Sequence, residues 1–534
     1  MKISHYQSLS VLASAFVMSV IGIHTASAVT PDATAAKDFA IALNSPPTSM
    51  DPEFYYAQSN MVVSEHIFEP LIMLDPDSQL IPGLATSWKL INPTTWEFQI
   101  RKGVVFHDGS PLTADDVAWS LDRPNTIVNS PGSFNIFTKS IIAKKVMGDS
   151  VIQITTRHPY PLLPVDLTNI MIVSKKATSG ISSDDFASGK GMIGTGPYKF
   201  VDYRRDDRVD LVRNDQYWGA KPTWPKVTLR FIPNDASRMS ALLAGDVQAI
   251  ENVPTPDLAS AMKNPKLSVF SKVSQRTIYL YVDTARSPSP FVTDKAGKPL
   301  SPSPLTNANV RRAISMAINR EGIKSRLMEN LSLPTDNMVQ PKAFGYNPDL
   351  KVVAYDPVAA KELLAKAGYP DGFQVTLDTP NNRYTNDEKI AEVVAQNLTR
   401  IGIVTKVESM PMSSYSSRGA KHSFSIGLLG WGTIEASSPL RALLACEDPA
   451  KGYGTQNWSL YCNKDMTAKL DLALTTVDDD VRAKLLRDAM AMAINDGAVI
   501  PIHQQFTSWA TVKGIQYEPR TDESTFAFKF TTTP

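Results

Sequence analysis

The chain has 534 residues, 20% charged and 43% apolar, with a formal net charge of +1. That is ordinary globular composition, and the balanced charge offers nothing to attract nucleic acid or an acidic membrane surface. Two cysteines and seven histidines leave little material for a dedicated metal cage or a disulfide-dense scaffold.

The first segment carries Lys2, an apolar run from Leu9 to Ile23, and Ala26-Ser27-Ala28. A basic start, a short apolar core and an A-x-A site have the form of a secretory signal peptide cleaved near Ala28. No cysteine follows the run, so the expectation is a soluble exported protein without a lipid anchor. The roughly 500 residues that remain are too many for one core and suggest two or three domains. Cys446 and Cys462, both in the exported part, read as a disulfide, since a metal site would need two further ligands nearby. Closing such a loop would contribute about 3 kcal/mol.

In chain order, Phe39–Leu43 reads as a short strand, and Trp96, Phe98 and Ile100 alternate with polar residues as a half-buried strand does. The Asp108-Gly109 step is a turn signal. Thr113 with Asp116 three residues on forms a capping box for a helix reaching about Leu121. Val227-Leu229-Phe231, Ile278-Leu280-Val282 and Phe373-Val375-Leu377 repeat the strand pattern. Val310, Ala313, Ile314, Ala317 and Ile318 form a helical stripe. Asp356-Pro357 opens another helix, with Gly368 and Pro370 as its stop. Asp387 to Ile401 is a third with Gly402 as stop, and Asp478 starts a fourth whose apolar positions include Val481, Leu485 and Met492. Arg286 to Asn307, rich in Ser and Pro, reads as an exposed loop. The run from Ser425 to Glu435 begins as a buried strand and ends in Gly430-Trp431-Gly432, an aromatic plate between two residues that let a neighbour come close.

Several blocks together resemble the large solute-binding proteins of bacterial ABC importers, the oligopeptide-, dipeptide- and nickel-binding family (family 5). They are Pro82-Gly83-Leu84-Ala85 with Trp88, the turn Phe106-His107-Asp108-Gly109, Thr113 to Val117, Gly194-Thr195-Gly196-Pro197-Tyr198, and Leu211 to Asn214 with Tyr217-Trp218. Further on come Asn309 to Ile314 with Asn319-Arg320, and Ala367 to Phe373, all in the family's order over nearly the whole exported chain. The resemblance implies an α/β, two-lobed periplasmic-binding-protein fold with an extra subdomain in the first lobe, a hinge, and a ligand cleft between the lobes. It divides the chain into a signal peptide (1–28), a compact first-lobe part (29–72), the extra subdomain (73–194), the compact part continued (195–277), the second lobe (278–502) and a first-lobe return (503–534). The chain would cross the hinge near Tyr279-Leu280-Tyr281 and again near Pro501-Ile502-His503.

The implied function is capture of a peptide or peptide-like ligand in the periplasm and its delivery to an inner-membrane permease and its ATPase. The binding protein would act as a monomer, without cofactor and without nucleic acid. An extended peptide would add as a strand to one edge at Tyr55-Tyr56-Ala57-Gln58 and another at Gly430-Trp431-Gly432-Thr433. Peptide binders place an Asp three residues after the Trp for the ligand's amine. Here that position is Ile434, which leaves Glu435 to take the amine or the ligand to lack one. Arg383, after a strand and before a helix, suits either a solvated loop or a ligand carboxylate. The loop between Cys446 and Cys462 could equally line the cleft or lie on the surface. The alternatives are the same fold holding an opine, a sugar, haem or a nickel chelate, and a secreted hydrolase using His107 or Glu435 as base. No nucleophile motif accompanies His107-Asp108, and its turn setting favours a structural role.

Overall fold

A computed structural model describes residues 38–533, so the signal-peptide segment lies outside the described residues. The chain is built on two long strands, Leu267–Val282 and Val499–Val512, paired antiparallel. Each has one half in either side of an 11-stranded sheet. The first half of one strand and the last of the other, Leu267–Val273 with Phe506–Val512, join the strands Ala249–Glu251, Asp38–Leu43, Lys226–Phe231, Arg208–Arg213 and Tyr198–Arg204. The other halves join Ile426–Gly432, which pairs along Arg276–Val282, followed by Phe373–Pro380 and Ile403–Met410 in parallel. Between the halves the ladder skips from Val273–Phe506 to Thr277–Gln504.

The buried apolar residues sort in the same way. One cluster is drawn from Ile278 to Ile502, the others from Phe39 to Leu267 and Trp509 to Phe530. A four-stranded antiparallel sheet, Ala85–Asn92, Thr95–Ile100, Val151–Thr156 and Ile141–Val146, is covered by the helix Ala114–Asp122 and shares the first-half core.

Local chemistry explains the element ends. The Asp116 carboxylate accepts from the Thr113 N–H at 3.0 Å and its hydroxyl at 2.8 Å, closing the expected box. Asp356 accepts from the Ala359 N–H, with Pro357 at the first position of the helix Pro357–Lys366. The Gly194-Thr195-Gly196 block is where the chain returns against Ile67: side chains at either glycine would collide with Ile67 backbone. Gly196 donates there to the Ile67 carbonyl and Thr195 to the buried Glu69.

Two expectations are corrected. The packed face of the helix Asp479–Asn495 is Arg482, Leu486, Ala489, Met490 and Ala493, whereas Val481 is exposed. Leu485 and Met492 do pack against the second core, and Arg482 is buried beside them with its guanidinium ion-paired to Glu435. The Ser/Pro-rich segment 286–307 is not wholly exposed either. Val292 and Leu305 are fully buried, and Thr293 pairs with Gln374. The disulfide Cys446–Cys462 is present.

Buried titratable groups give the fold a pH signature. His66 donates from Nδ1 to the Val62 carbonyl and accepts at Nε2 from the Ala527 N–H, an arrangement that requires the neutral ring. Burial lowers His66 to about 4 and His503 to about 3. Burial also raises Glu69 to about 7, against the donors Trp218, Tyr217 and Thr195, and raises Asp378 to about 7. The depressed histidines stabilise the fold above their unfolded value of about 6.5 and lose that contribution as pH falls. The raised carboxyls stabilise it below about pH 4 and lose that contribution as pH rises through about 7. The two sets oppose each other between about pH 4 and 6.5, and only the carboxyls still titrate above that. The melting temperature is therefore expected to fall between about pH 6.5 and 8, and to fall less steeply in Glu69→Gln. A limb of equal slope in the variant would show that Glu69 is already ionised in the folded protein.

Candidate functional site

A cavity of about 1000 Å³ opens beside the break in the ladder, between the two halves of the molecule. One wall carries Asn44, Gln58 and Pro254, and the facing wall is the segment from Asn381 to Lys389. Arg276, Gln505 and Glu523 line its inner end.

The facing wall is held by one carboxylate. Asp387, first residue of the helix Asp387–Arg400, accepts from the backbone N–H groups of both Arg383 and Tyr384 at 3.0 Å. Asn386 takes a left-handed φ of 57°, which turns the chain into that helix. Tyr384 then lies over Gly430 and donates its hydroxyl to the Gly430 carbonyl at 3.1 Å. A Cβ on Gly430 would stand 2.7 Å from the tyrosine ring. The first glycine of Gly-Trp-Gly therefore makes room for an aromatic ring rather than for another backbone. Gly432 faces the Arg276 guanidinium at ordinary contact distance.

The charges at the inner end are unequal. Arg276 and Glu523 form a two-point pair at 3.2 and 2.9 Å, and the Arg276 charge holds the Glu523 carboxyl below its usual value against the opposing effect of burial. Arg383 lies 5.4 Å from the centre of the Tyr384 ring and Arg276 lies 5.8 Å from it. Arg383 is solvent-exposed; desolvation first and then the Arg276 charge lower its pKa, while the Glu523 and Asp387 carboxylates act against them. Among the described residues no carboxylate lies within ion-pair distance of the Arg383 guanidinium. Arg276, Glu523 and Tyr384 were not singled out from the sequence. Arg276 sits in a polar stretch of a strand, its partner is 247 positions away, and no local signal joins them.

The remaining predicted residues occupy different places. Gln58 lines the cavity and donates from Nε2 to Ser524 Oγ at 2.9 Å. The edge proposed at Tyr55–Gln58 is largely used by the protein itself. The Tyr56 N–H is bonded to the Gly132 carbonyl and the Ala57 N–H to that of Tyr55, while Gln58 opens a helix. The Tyr56 ring is half exposed, edge-on to Phe134 and Phe137. On the strand Ile426–Gly432, one edge is fully paired to Arg276–Val282. The other edge pairs with a strand only at Ile426 and Gly427. Beyond them, the carbonyls of Leu428 and Gly430 accept tyrosine hydroxyls. Trp431 is half buried and donates Nε1 to Ser438 Oγ. The Thr433 N–H is bonded to the Gln275 carbonyl at 3.3 Å.

Glu435, offered by the sequence as the amine's partner, is buried with one oxygen 2.9 Å from Arg482 Nη1. Its other oxygen has no partner among the described residues. Arg482 in turn lies 3.9 Å over the Phe344 ring. The carboxylate is thus first a counter-charge for an arginine inside the second core.

His107 is a turn residue: its Nε2 lies 3.0 Å from the Gly196 carbonyl, while Asp108 accepts from Ser110. Among the described residues no three His, Cys, Asp or Glu side chains converge as a metal site would need. No helix among them is long and apolar enough to cross a membrane.

Residues 79–452 match the family described as bacterial extracellular solute-binding proteins, family 5 Middle. The chain belongs to this family. It is a solute-binding receptor of the ABC-importer class. The glutathione-binding protein GsiB of Salmonella paratyphi A is 28% identical over 500 residues, covering 91% of this chain and 92% of that protein. Heme-binding protein A of Haemophilus influenzae is 26% identical over 466 residues, with 82% of each covered. Among solved structures, the periplasmic binding protein DppA of Helicobacter pylori, in complex with the peptide STSA, superposes with a TM-score of 0.73. It is 24% identical and covers 93% of this chain and 98% of that one. The binding protein CtaP of Listeria monocytogenes reaches 0.79 at 20% identity, with 93% and 99% covered. At these identities the structural likenesses establish the two-lobed binding-protein fold.

The Glu435–Arg482 pair sets an expectation for this binding protein without ligand. Glu435→Gln leaves the buried Arg482 with only the exposed Asp479 carboxylate, at 3.5 Å, as counter-charge and should lower unfolding stability by about 3 kcal/mol, measured by urea denaturation. A loss under about 1 kcal/mol, accompanied by weakened ligand binding, would instead assign the carboxylate to the ligand.

Proposed function

We propose that this protein is a periplasmic receptor for a small peptide-like solute bearing a free carboxylate, which it holds at Arg383 between two closing lobes. It then passes the solute, as a monomer, to an inner-membrane permease driven by its ATPase. The observation that carries this reading is the unequal charge at the inner end of the cavity. Arg276 has its carboxylate in Glu523, and Arg383 beside it has no carboxylate within ion-pair distance among the described residues, Glu523 and Asp387 acting on it only from further away. An exposed guanidinium next to a second one is stabilised by an incoming anion. Carboxylate oxygens also match its planar fork in two hydrogen bonds. The wall that presents Arg383 is rigid, because Asp387 fastens the backbone at that residue and the next.

Closure has a physical basis in the two strands that join the halves. Their ladder to each other is interrupted between Val273 and Thr277, where a bend breaks no pairing between these two strands. The boundaries proposed for the lobes, near residues 277 and 502, coincide with the change of hydrophobic cluster. The relative named for glutathione makes a tripeptide with two carboxylates the first ligand to try. Opines, sugars, haem and nickel chelates complete the screen.

Thermal-shift and calorimetric titration of the mature chain test the reading. A ligand present at about 100 times its dissociation constant should add about 2.7 kcal/mol of stability. Arg383→Gln should weaken a carboxylate ligand at least tenfold, about 1.4 kcal/mol. Amidation of the ligand should cost the wild type a similar factor and the variant almost nothing. Acid and amide binding the wild type equally well, or stabilisation only by uncharged sugars, would refute a carboxylate held at Arg383.

A further inference from the structure

A second cavity, of about 820 Å³, shares no wall residue with the first. One wall belongs to the four-stranded sheet. Lys139 and Ser140 lead into the strand Ile141–Val146, and Arg157 and His158 leave the strand Val151–Thr156. A hydrogen bond from the Arg157 N–H to the Ser140 carbonyl holds these ends side by side at 2.9 Å. The other wall belongs to the second core: Arg441, the disulfide loop through Lys451 and Tyr453, and the helix Lys464–Thr475. The disulfide and a bond from the Cys446 N–H to Thr467 Oγ1 fasten that loop to its helix.

The cavity is one-sided in charge. Its one carboxylate, Asp471, is taken by Lys451 Nζ and the Tyr453 hydroxyl, each at 2.8 Å. Lys139, Arg157 and Arg441 have no ion-pair partner among the described residues, and the buried Nε of Arg441 has no hydrogen-bond partner there. The nearby Asp166 accepts from the Tyr160 hydroxyl at 2.7 Å; burial raises its carboxyl to about 7 against the opposing charges of Arg441 and Lys139, so it is a partial counter-charge to both. Tyr160, Tyr453, Leu472 and Leu474 provide apolar surface beside the cations. Cations from two separate elements facing one half-open cavity repel, and an anion between them relieves that repulsion. The volume is that of a small-molecule site.

We infer that this cavity is a second binding site, taking a solute with an apolar or aromatic body and a carboxylate or phosphate head. The head lies among Lys139, Arg157 and Arg441, and the body lies against the tyrosines and leucines. Because the walls come from opposite halves of the molecule, an occupant ties them together. The inference stands independently of the assignment at Arg383.

Calorimetric titration of the mature chain with 1-naphthyl phosphate, 1-naphthoate and neutral 1-naphthol tests it, in wild type, Lys139→Gln/Arg157→Gln and Arg383→Gln. Both substituted side chains of the double variant are exposed, and an unchanged melting temperature verifies its fold. The expected result is saturable binding of the two anions, at least tenfold tighter than naphthol and weakened by added salt. The double variant should lose at least tenfold, and Arg383→Gln should bind as wild type does. The tighter anion identifies the head group as phosphate or carboxylate. Four results would overturn the site: no saturation by about 1 mM probe, the scale of a few kcal/mol of binding; naphthol binding equally well; full affinity in the double variant; or loss confined to Arg383→Gln. The last would place the anion in the first cavity and leave the proposed function standing.

Discussion

The pairing of Leu267–Val282 with Val499–Val512 is the constraint on which the rest depends. Two strands long enough to serve both halves of a sheet let two separate cores form from one continuous hydrogen-bonded surface. The same length creates a weak line where neither core reaches. At that line the ladder skips, and the buried Thr277 and Gln504 and the half-buried Gln275 have buried side-chain atoms with no partner among the described residues. Such groups are costly in an apolar core and are ordinarily met by ordered water. A seam of this kind bends more readily than either core, which is what a receptor that closes on its solute requires.

The charged groups are arranged around that seam according to how well each is compensated. Arg276 with Glu523 is a half-buried pair and Arg482 with Glu435 a buried one, Arg482 reaching only the exposed Asp479 besides. Arg383 differs because no carboxylate reaches its guanidinium at ion-pair distance among the described residues, and a ring and another cation lie beside it. Lys139, Arg157 and Arg441 share that condition in the second cavity. In both places the uncompensated charge faces open space between the halves, so a solute can satisfy it.

Much of the fold was legible in the chain because its signals are local. The capping box at Thr113 and Asp116, the Pro357 start, the stripe from Val310 to Ile318 and the alternation at Phe373–Leu377 each report a backbone state through neighbours a few residues away. The helix Asp479–Asn495 shows the limit. Its apolar pattern included Val481, but Val481 is exposed and Arg482, paired with Glu435, is buried. The candidate site was half legible. Gln58 and Arg383 were named from position, and both line the first cavity. The edge at Tyr55–Gln58 was misleading, since nothing near it in sequence says that the Gly132 carbonyl occupies the Tyr56 N–H.

By itself the sequence determined the class of protein, through ordered blocks over most of the chain, and carried a cysteine pair placed to close one loop. It also determined most element starts and stops, because capping and turn chemistry act within a single turn of backbone. Tertiary structure alone decided which charges are compensated. Glu523 reaches Arg276 across 247 residues, and Arg482 reaches Glu435 across 47. Coulombic pairing depends on distance in space and on burial, and neither can be read from separation along the chain. The two glycines around Trp431 could therefore be noticed in the sequence, but only the fold shows that a tyrosine fills the first and an arginine faces the second.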